Sequence, residues 1–198
     1  MNSIIVFKNN LRFSDNPVLY YGSLNNSILP VFILDNINIE KEIGGASKFW
    51  LHNALNSLNK SLENQLSFFT GDSVKILSDL SVKNSIQNIY IEEPFLNNDI
   101  KLLDLLRKSL PKLEFITFNC TLLWKPYEVL KNDKTAYKVF SPFYKKGCLL
   151  GNKPLLPVGN PKKLEFIKND NKTTLDDLNL LPEKKWYEKF TNPINISE

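Results

Sequence analysis

Five short apolar runs, Ser3–Phe7, Ile28–Leu34, Leu66–Thr70, Asn88–Glu92 and Glu114–Asn119, divide the first 120 residues. They are rich in Ile, Val, Phe and Tyr and scarcely alternate with polar residues. A strand wet on one face alternates, whereas a strand covered on both faces does not, so these runs read as buried parallel strands. Amphipathic segments separate them. One helix is expected to start at Asp15-Asn16-Pro17, where a capping side chain precedes a proline suited to the first turn. A second spans Ala46 to about Asn64, with Leu51, Leu55, Leu58 and Leu62 on one face and Ser47 as its cap. A third covers Ser73–Lys83 after Gly71-Asp72, and a fourth covers Asn98–Ser109, stopped by Pro111. Strands alternating with helices require right-handed crossovers and a parallel sheet. The expected fold is α/β: a doubly wound, Rossmann-like sheet of five strands in the order 3-2-1-4-5. Its ligand crevice then lies at the carboxyl ends of the strands, near the loops after strands one, two and four.

Beyond Asn119 the periodicity fails, and seven of the eleven prolines fall there. Leu122–Val129 and Tyr137–Tyr144 read as ordered. Gly151–Thr174 reads as a long connector wrapping another surface. The chain therefore divides into a domain over residues 1–130 and a connector over 131–198. The final residues, Asn195-Ile196-Ser197-Glu198, carry no domain-closing feature, and a further domain is expected to follow. Net charge is +4 with a pI near 8.9. Most of the excess lies after residue 130, in lysines that include Lys131, Lys138, Lys146, Lys163 and Lys185, and reads as a solvated face. Tyr137–Tyr144, with four aromatics, is the expected sticky patch.

Several function classes are excluded. Two cysteines, Cys120 and Cys148, make no disulfide framework. A single histidine, His52, argues against a zinc site or a histidine triad. The amino terminus has no basic leader, and no apolar run approaches the ~20 residues needed to span a bilayer, so a cytoplasmic location is expected. No dinucleotide-binding glycine turn, phosphate loop or nucleophile elbow occurs.

The remaining signals are polar loops at strand ends. Lys8-Asn9-Asn10-Leu11-Arg12-Phe13-Ser14-Asp15-Asn16-Pro17 follows the first strand; Arg12 and Asp15 read equally as loop braces. Asp35 ends the second strand, placed to meet a ligand hydroxyl or ring nitrogen, or to cap a turn. Gly44-Gly45-Ala46-Ser47-Lys48 opens a helix, where glycine backbone and free N–H groups admit a ligand and Lys48 adds a cation. Trp50 and His52 read as packing residues. Glu92-Glu93-Pro94 closes the fourth strand, and adjacent acids on a strand face opposite ways.

The order and spacing of these motifs resemble the photolyase/cryptochrome family, and in particular bacterial class I cyclobutane pyrimidine dimer photolyases. Val6-Phe7-Lys8-Asn9-Asn10-Leu11-Arg12-Phe13-Ser14-Asp15-Asn16-Pro17 is similar to the family's opening motif, with Val6, Lys8 and Asn10 in place of tryptophan, arginine and aspartate. Gly44–Leu55 resembles its G-G-A-S-R-W-W-L-H helix start. Gly71-Asp72, Leu123-Trp124-Lys125-Pro126, Tyr137–Tyr144 and Leu175–Pro182 with Trp186 resemble later motifs. The resemblance implies that this is the amino-terminal antenna domain of a light-driven DNA repair flavoprotein. It implies a chromophore here, methenyltetrahydrofolate first, with a deazaflavin or FMN as alternatives. It places FAD and the damaged-DNA pocket in a helical domain that this chain lacks, so the chain alone is expected to be inactive. By the same resemblance the chromophore-contacting positions are Lys8, Asn10, Asp35, Gly45, Lys48, Glu93 and Asn97. Asn97-Asn98 stands where folate-binding relatives carry an Asn-Glu pair. A cryptochrome-like signalling module without repair activity is the alternative. An unrelated adenylate-handling α/β domain is the third reading, and it lacks a phosphate-cradling glycine motif.

Overall fold

The computed structural model describes residues 1–24, 26–37, 43–151, 153–184 and 186–189. Lys185 and Asn195–Glu198, singled out above, lie outside the described residues. Five strands form the main sheet: β1 (Asn2–Phe7), β2 (Ser27–Leu34), β3 (Ser67–Thr70), β4 (Asn88–Glu92) and β5 (Glu114–Phe118). All pair in parallel in the order β3-β2-β1-β4-β5, as expected. Four helices alternate with them: α1 (Pro17–Ser23), α2 (Gly45–Ser61), α3 (Ser73–Lys83) and α4 (Asn97–Ser109).

The unalternating runs are explained by two cores, one on each side of the sheet. Ile5, Phe7, Ile28 and Phe32 face α1 and α2, packing with Leu19, Leu55, Leu58 and Leu62. Ile4, Val6, Leu29 and Val31 face α3 and α4, packing with Leu77, Leu80, Leu103 and Leu106. Every other residue of β1 thus enters a different core, and neither face is wet.

Local chemistry sets the helix starts. Asn16 caps α1, its side chain accepting from Leu19 N–H at 3.2 Å, with Pro17 in the first turn. Asp72 caps α3, accepting from Val74 N–H at 2.9 Å, after Gly71 turns the chain at φ 129°. Ser47 does not cap α2. The helix begins earlier, with Gly44 at the cap position and no side-chain hydrogen bond there. The same helix stops at Ser61, short of Asn64, because Glu63 and Asn64 adopt left-handed backbone at φ 55° and 61°.

The connector wraps the domain's own sheet. Glu165–Phe166 forms a sixth strand, β6, pairing in parallel with Ser27 and Ile28 of β2. Leu178 and Leu180 are buried in the α1–α2 core. Asn169 Nδ2 donates to Ser67 Oγ at 3.0 Å, and Asn171 Nδ2 donates to Phe68 carbonyl at 2.6 Å. The same edge accommodates Pro30. β6 pairs with residues 27–28 of β2 and β3 with residues 31–34, so Pro30 sits at the break between them. Its missing N–H faces that break, because Ile28, two residues earlier, accepts there from Ile167. Among the described residues no helix is long and apolar enough to cross a membrane.

Candidate functional site

The strand order reverses between β1 and β4, so the loops after these strands form the switch-point rim. The β1 loop is built on two buried asparagines. Asn16 Nδ2 donates to the carbonyls of Asn10 and Arg12 at 3.0 and 2.8 Å. Asn10 Oδ1 accepts from Lys8 N–H at 3.0 Å, and Asn10 Nδ2 donates to Asn16 Oδ1 at 3.3 Å. Asn10 is fully buried, so it shapes the loop from beneath. Arg12 and Asp15 take the bracing role: the Arg12 guanidinium donates twice to the Asp15 carbonyl, at 3.0 and 2.6 Å. The Asp15 carboxylate accepts from Val158 N–H at 3.0 Å and so ties the connector to the rim.

Lys8 and the two glutamates cross the switch point. Lys8 Nζ pairs with Asp99 in the first turn of α4. Glu92, buried, accepts from Asn9 N–H at 3.3 Å. Glu93 turns the other way, as adjacent strand residues must, and meets Lys125 Nζ at 2.7 Å and Tyr127 Oη at 3.2 Å. The hydrogen bond to Glu93, then that with Tyr127, holds the Lys125 ammonium above the usual lysine value. Beneath this rim lies Cys120, whose thiol burial pushes up to about 11, opposed by the Val18 backbone hydrogen bond and helped by the nearby Glu92 charge.

The expected residues fall into two groups. Lys8, Asn10, Glu93 and Asn97 belong to the β1–β4 rim, with Asn97 exposed at the start of α4. Gly45 and Lys48 belong to the entrance of α2. Asp35 lies at the end of β2, where it accepts from Ile37 N–H at 2.9 Å and from Ser73 N–H at 3.3 Å, so it caps a turn and steadies α3.

The α2 entrance differs from the rim in having open backbone. Gly44 and Gly45 are exposed, and no described atom lies within 4 Å of where a Cβ on either would sit. Lys48 follows one turn on and is half-buried. Trp186 and Tyr187, at the far end of the connector, pack on Phe49 with ring centroids 5.6 and 4.6 Å away, Tyr187 stacked at 20°. Sequence reasoning missed this aromatic wall, because 137 residues separate Phe49 from Trp186. Trp50, expected to pack, is 52% exposed. Among the described residues no group of His, Cys, Asp or Glu is placed to hold a metal ion.

The chain matches the DNA photolyase family over residues 3–161. It is 28% identical to a deoxyribodipyrimidine photo-lyase of Agrobacterium fabrum over 198 residues, covering 96% of this chain and 40% of the relative. It is 25% identical over 171 residues to Cryptochrome-1 of Arabidopsis thaliana, covering 82% of this chain and 25% of that protein. A crystal structure of a bacterial class III photolyase from Agrobacterium tumefaciens superposes with a TM-score of 0.85 at 28% identity, covering 95% of this chain and 40% of the other. The chain thus spans less than half the length of these relatives. The particular likeness expected was to class I enzymes; the Agrobacterium photolyase that it resembles at 28% identity is a class III enzyme. A doubly wound sheet with its polar loops at the β1–β4 rim, and a match over four-fifths of the sequence, lead to one assignment: this chain belongs to the DNA photolyase family.

Proposed function

We propose that this chain is the light-harvesting domain of a deoxyribodipyrimidine photolyase, a cytoplasmic flavoprotein that repairs DNA with light. Residues 1–130 form the antenna domain, and residues 131–198 form the connector to a helical domain that carries FAD and contacts damaged DNA. Alone, this chain repairs nothing. The observation that carries the reading is its superposition along almost its whole length on a photolyase of which it spans about 40%. That relative favours class III as the subclass.

The chromophore proposed is methenyltetrahydrofolate, with a deazaflavin or FMN as alternatives; when bound it would absorb near-ultraviolet or blue light and pass the excitation on. The chain's own part is to hold it. The open backbone at Gly44–Gly45 lets a ring approach closely, Lys48 faces its anionic group, and Phe49 with Tyr187 offers a stacking wall. Lys8, Asp35, Glu93 and Asn97 complete the polar rim, and Asn10 fixes the loop that carries Lys8.

The test is an absorption spectrum of the purified chain, followed by titration with each of the three chromophores. We expect no FAD absorbance and a saturable red shift with one chromophore. Lys48→Ala should weaken that binding by roughly tenfold, the size of one charged hydrogen bond. Stoichiometric FAD held by this chain alone overturns the reading. A cryptochrome role is the second reading, favoured by the Arabidopsis relative; repair of pyrimidine dimers by the full-length protein under blue light excludes it.

A further inference from the structure

The connector crosses the domain as a strap and is fastened along its way. The Asp15 carboxylate holds Val158 N–H at 3.0 Å. Glu165–Phe166 pairs with β2, and Asn169 and Asn171 donate to Ser67 and Phe68 of β3. Leu178 and Leu180 are then buried in the α1–α2 core. Between these two leucines Asn179 turns the chain with left-handed backbone at φ 50°.

The last landing is of another kind. Trp186–Lys189 is a helical turn of four residues. Trp186 and Tyr187 meet Phe49 of α2, and each other, through ring contacts at 5.6, 4.6 and 5.9 Å. A single turn is a poor structure without support from what it packs on. One aromatic pair shifts a population by roughly two- to tenfold. A seating equilibrium built from such contacts is one that a bound ligand can move.

The tip lands on the face of α2 that carries the open backbone. Gly45, Lys48, Phe49 and His52 follow one another at i, i+3, i+4 and i+7, so they share one face. That face lies beside the stripe of Leu51, Leu55, Leu58 and Leu62 that enters the core. No described atom lies within 4 Å of a Cβ built on Gly45. On the same face His52 Nδ1 is buried without a hydrogen-bond partner among the described residues, a nitrogen left for water or a ligand to satisfy. Open backbone, a cation, an unsatisfied nitrogen and the tip's rings thus adjoin one another.

We infer that the tip of the strap is a clasp: seating of Trp186 and Tyr187 on Phe49 and filling of the α2 entrance by the chromophore promote each other. The inference rests on the chromophore reading and adds a coupling to it. A planar ligand at Gly45 gains the Tyr187 face only when the tip is seated, so it binds the seated form better. By reciprocity the bound ligand holds the tip down by the same factor. Loading the site then fixes the course of the polypeptide after Leu180, and an empty site lets it lift.

The experiment is amide hydrogen exchange of the whole chain, read by mass spectrometry over residues 186–189, with residues 165–171 as internal reference. It is run without ligand and then with saturating methenyltetrahydrofolate, FMN or a deazaflavin, whichever the absorption titration shows to bind. Without ligand, Phe49→Ala should speed exchange over 186–189 several-fold and leave 165–171 unchanged. In the wild-type chain, saturating ligand should slow exchange over 186–189 roughly fivefold, the size of one aromatic pair, and again leave 165–171 unchanged. Trp186→Ala/Tyr187→Ala should bind the same ligand more weakly by that same factor, to within about twofold. Tyr187→Phe, which keeps the ring, should bind as the wild type does. The inference fails if Phe49→Ala leaves exchange over 186–189 unaltered. It fails if a chromophore binds and exchange there is unchanged or faster; faster exchange would make the tip a plug that the ligand displaces. It fails equally if the double variant binds as tightly as the wild type, or if 165–171 slows along with 186–189, which would be general stabilisation. In each of these outcomes the chromophore still binds, so the antenna reading stands while the clasp falls. If none of the three chromophores binds, both fall.

Discussion

Replacing Asn16 by aspartate separates two accounts of the β1 loop. Asn and Asp are equally good helix caps, so a residue that only capped α1 would tolerate the exchange with a change near zero. The structure requires more of this side chain. Its Oδ1 accepts from Leu19 N–H and Asn10 Nδ2, while its Nδ2 donates to the carbonyls of Asn10 and Arg12. Aspartate keeps the first pair and turns the second into an oxygen facing two carbonyl oxygens. Asn16 is 1% exposed, so water cannot relieve the conflict. The orphaned Arg12 carbonyl costs roughly 1–1.5 kcal/mol, the Asn10 carbonyl keeping Arg12 N–H at 2.8 Å, and repulsion of the new oxygen by both carbonyls brings the loss to about 3 kcal/mol. With a urea slope on the order of 2 kcal/mol per molar, the unfolding midpoint should fall by roughly 1.5 M. Asn16→Ala, which also loses the cap, should fall at least as far. The assay is urea denaturation followed by circular dichroism at neutral pH. An Asn16→Asp midpoint within about 0.2 M of wild type would refute the network account and leave the cap alone.

Other perturbations follow from the same geometry. Gly22→Ala would drive a methyl into Ile5 Cδ1 and to 3.0 Å from the Tyr90 ring, so thermal unfolding should show a loss of about 1–3 kcal/mol from overpacking. The Cys120 thiol has a folded value of about 11 against an ordinary 9.0, so it holds its proton more tightly when folded. The associated stability is intact below pH 9 and is lost as pH rises from 9 through 11, by about 2 kcal/mol, and Cys120→Ala should flatten that part of the stability-versus-pH curve. Asp15→Ala removes the acceptor for Val158 N–H, and trypsin should then cut after Lys163 several-fold faster than in the wild-type chain.

The sheet could be read from the sequence because doubly buried strands declare themselves by failing to alternate. The long helices were legible because Leu51, Leu55, Leu58 and Leu62 sit on one face and enter one core. What escaped was held by contacts that leave no local pattern. A two-residue strand such as Glu165–Phe166 has too few side chains to show a period. Leu178 and Leu180 sit in a proline- and lysine-rich tail, and only tertiary contact reveals them as core. Ser47 follows the helix start that Gly44 sets, so cap preference alone misplaced it. At the site, the polar loops were found from their place at strand ends, but their pairings were not. Asn10 reads, by resemblance, as a chromophore-contacting position; its full burial follows from a partner six residues along the chain, which polarity alone does not disclose. Phe49 and Tyr187 meet only because the connector returns to α2.

β6 has a consequence for how this protein is made. Synthesis runs from the amino terminus, so the five main strands leave the ribosome while Glu165 and Phe166 are still being added. Until they arrive, Ser27 and Ile28 present an unpaired backbone margin, and the sockets for Leu178 and Leu180 stand open. The nascent domain therefore passes through an interval in which the start of its second strand, left uncovered by β3, is a template for a neighbouring chain. Closing that interval early, by fast elongation through residues 131–180 or by a chaperone held at the margin, should raise the soluble yield more than any change within the five main strands.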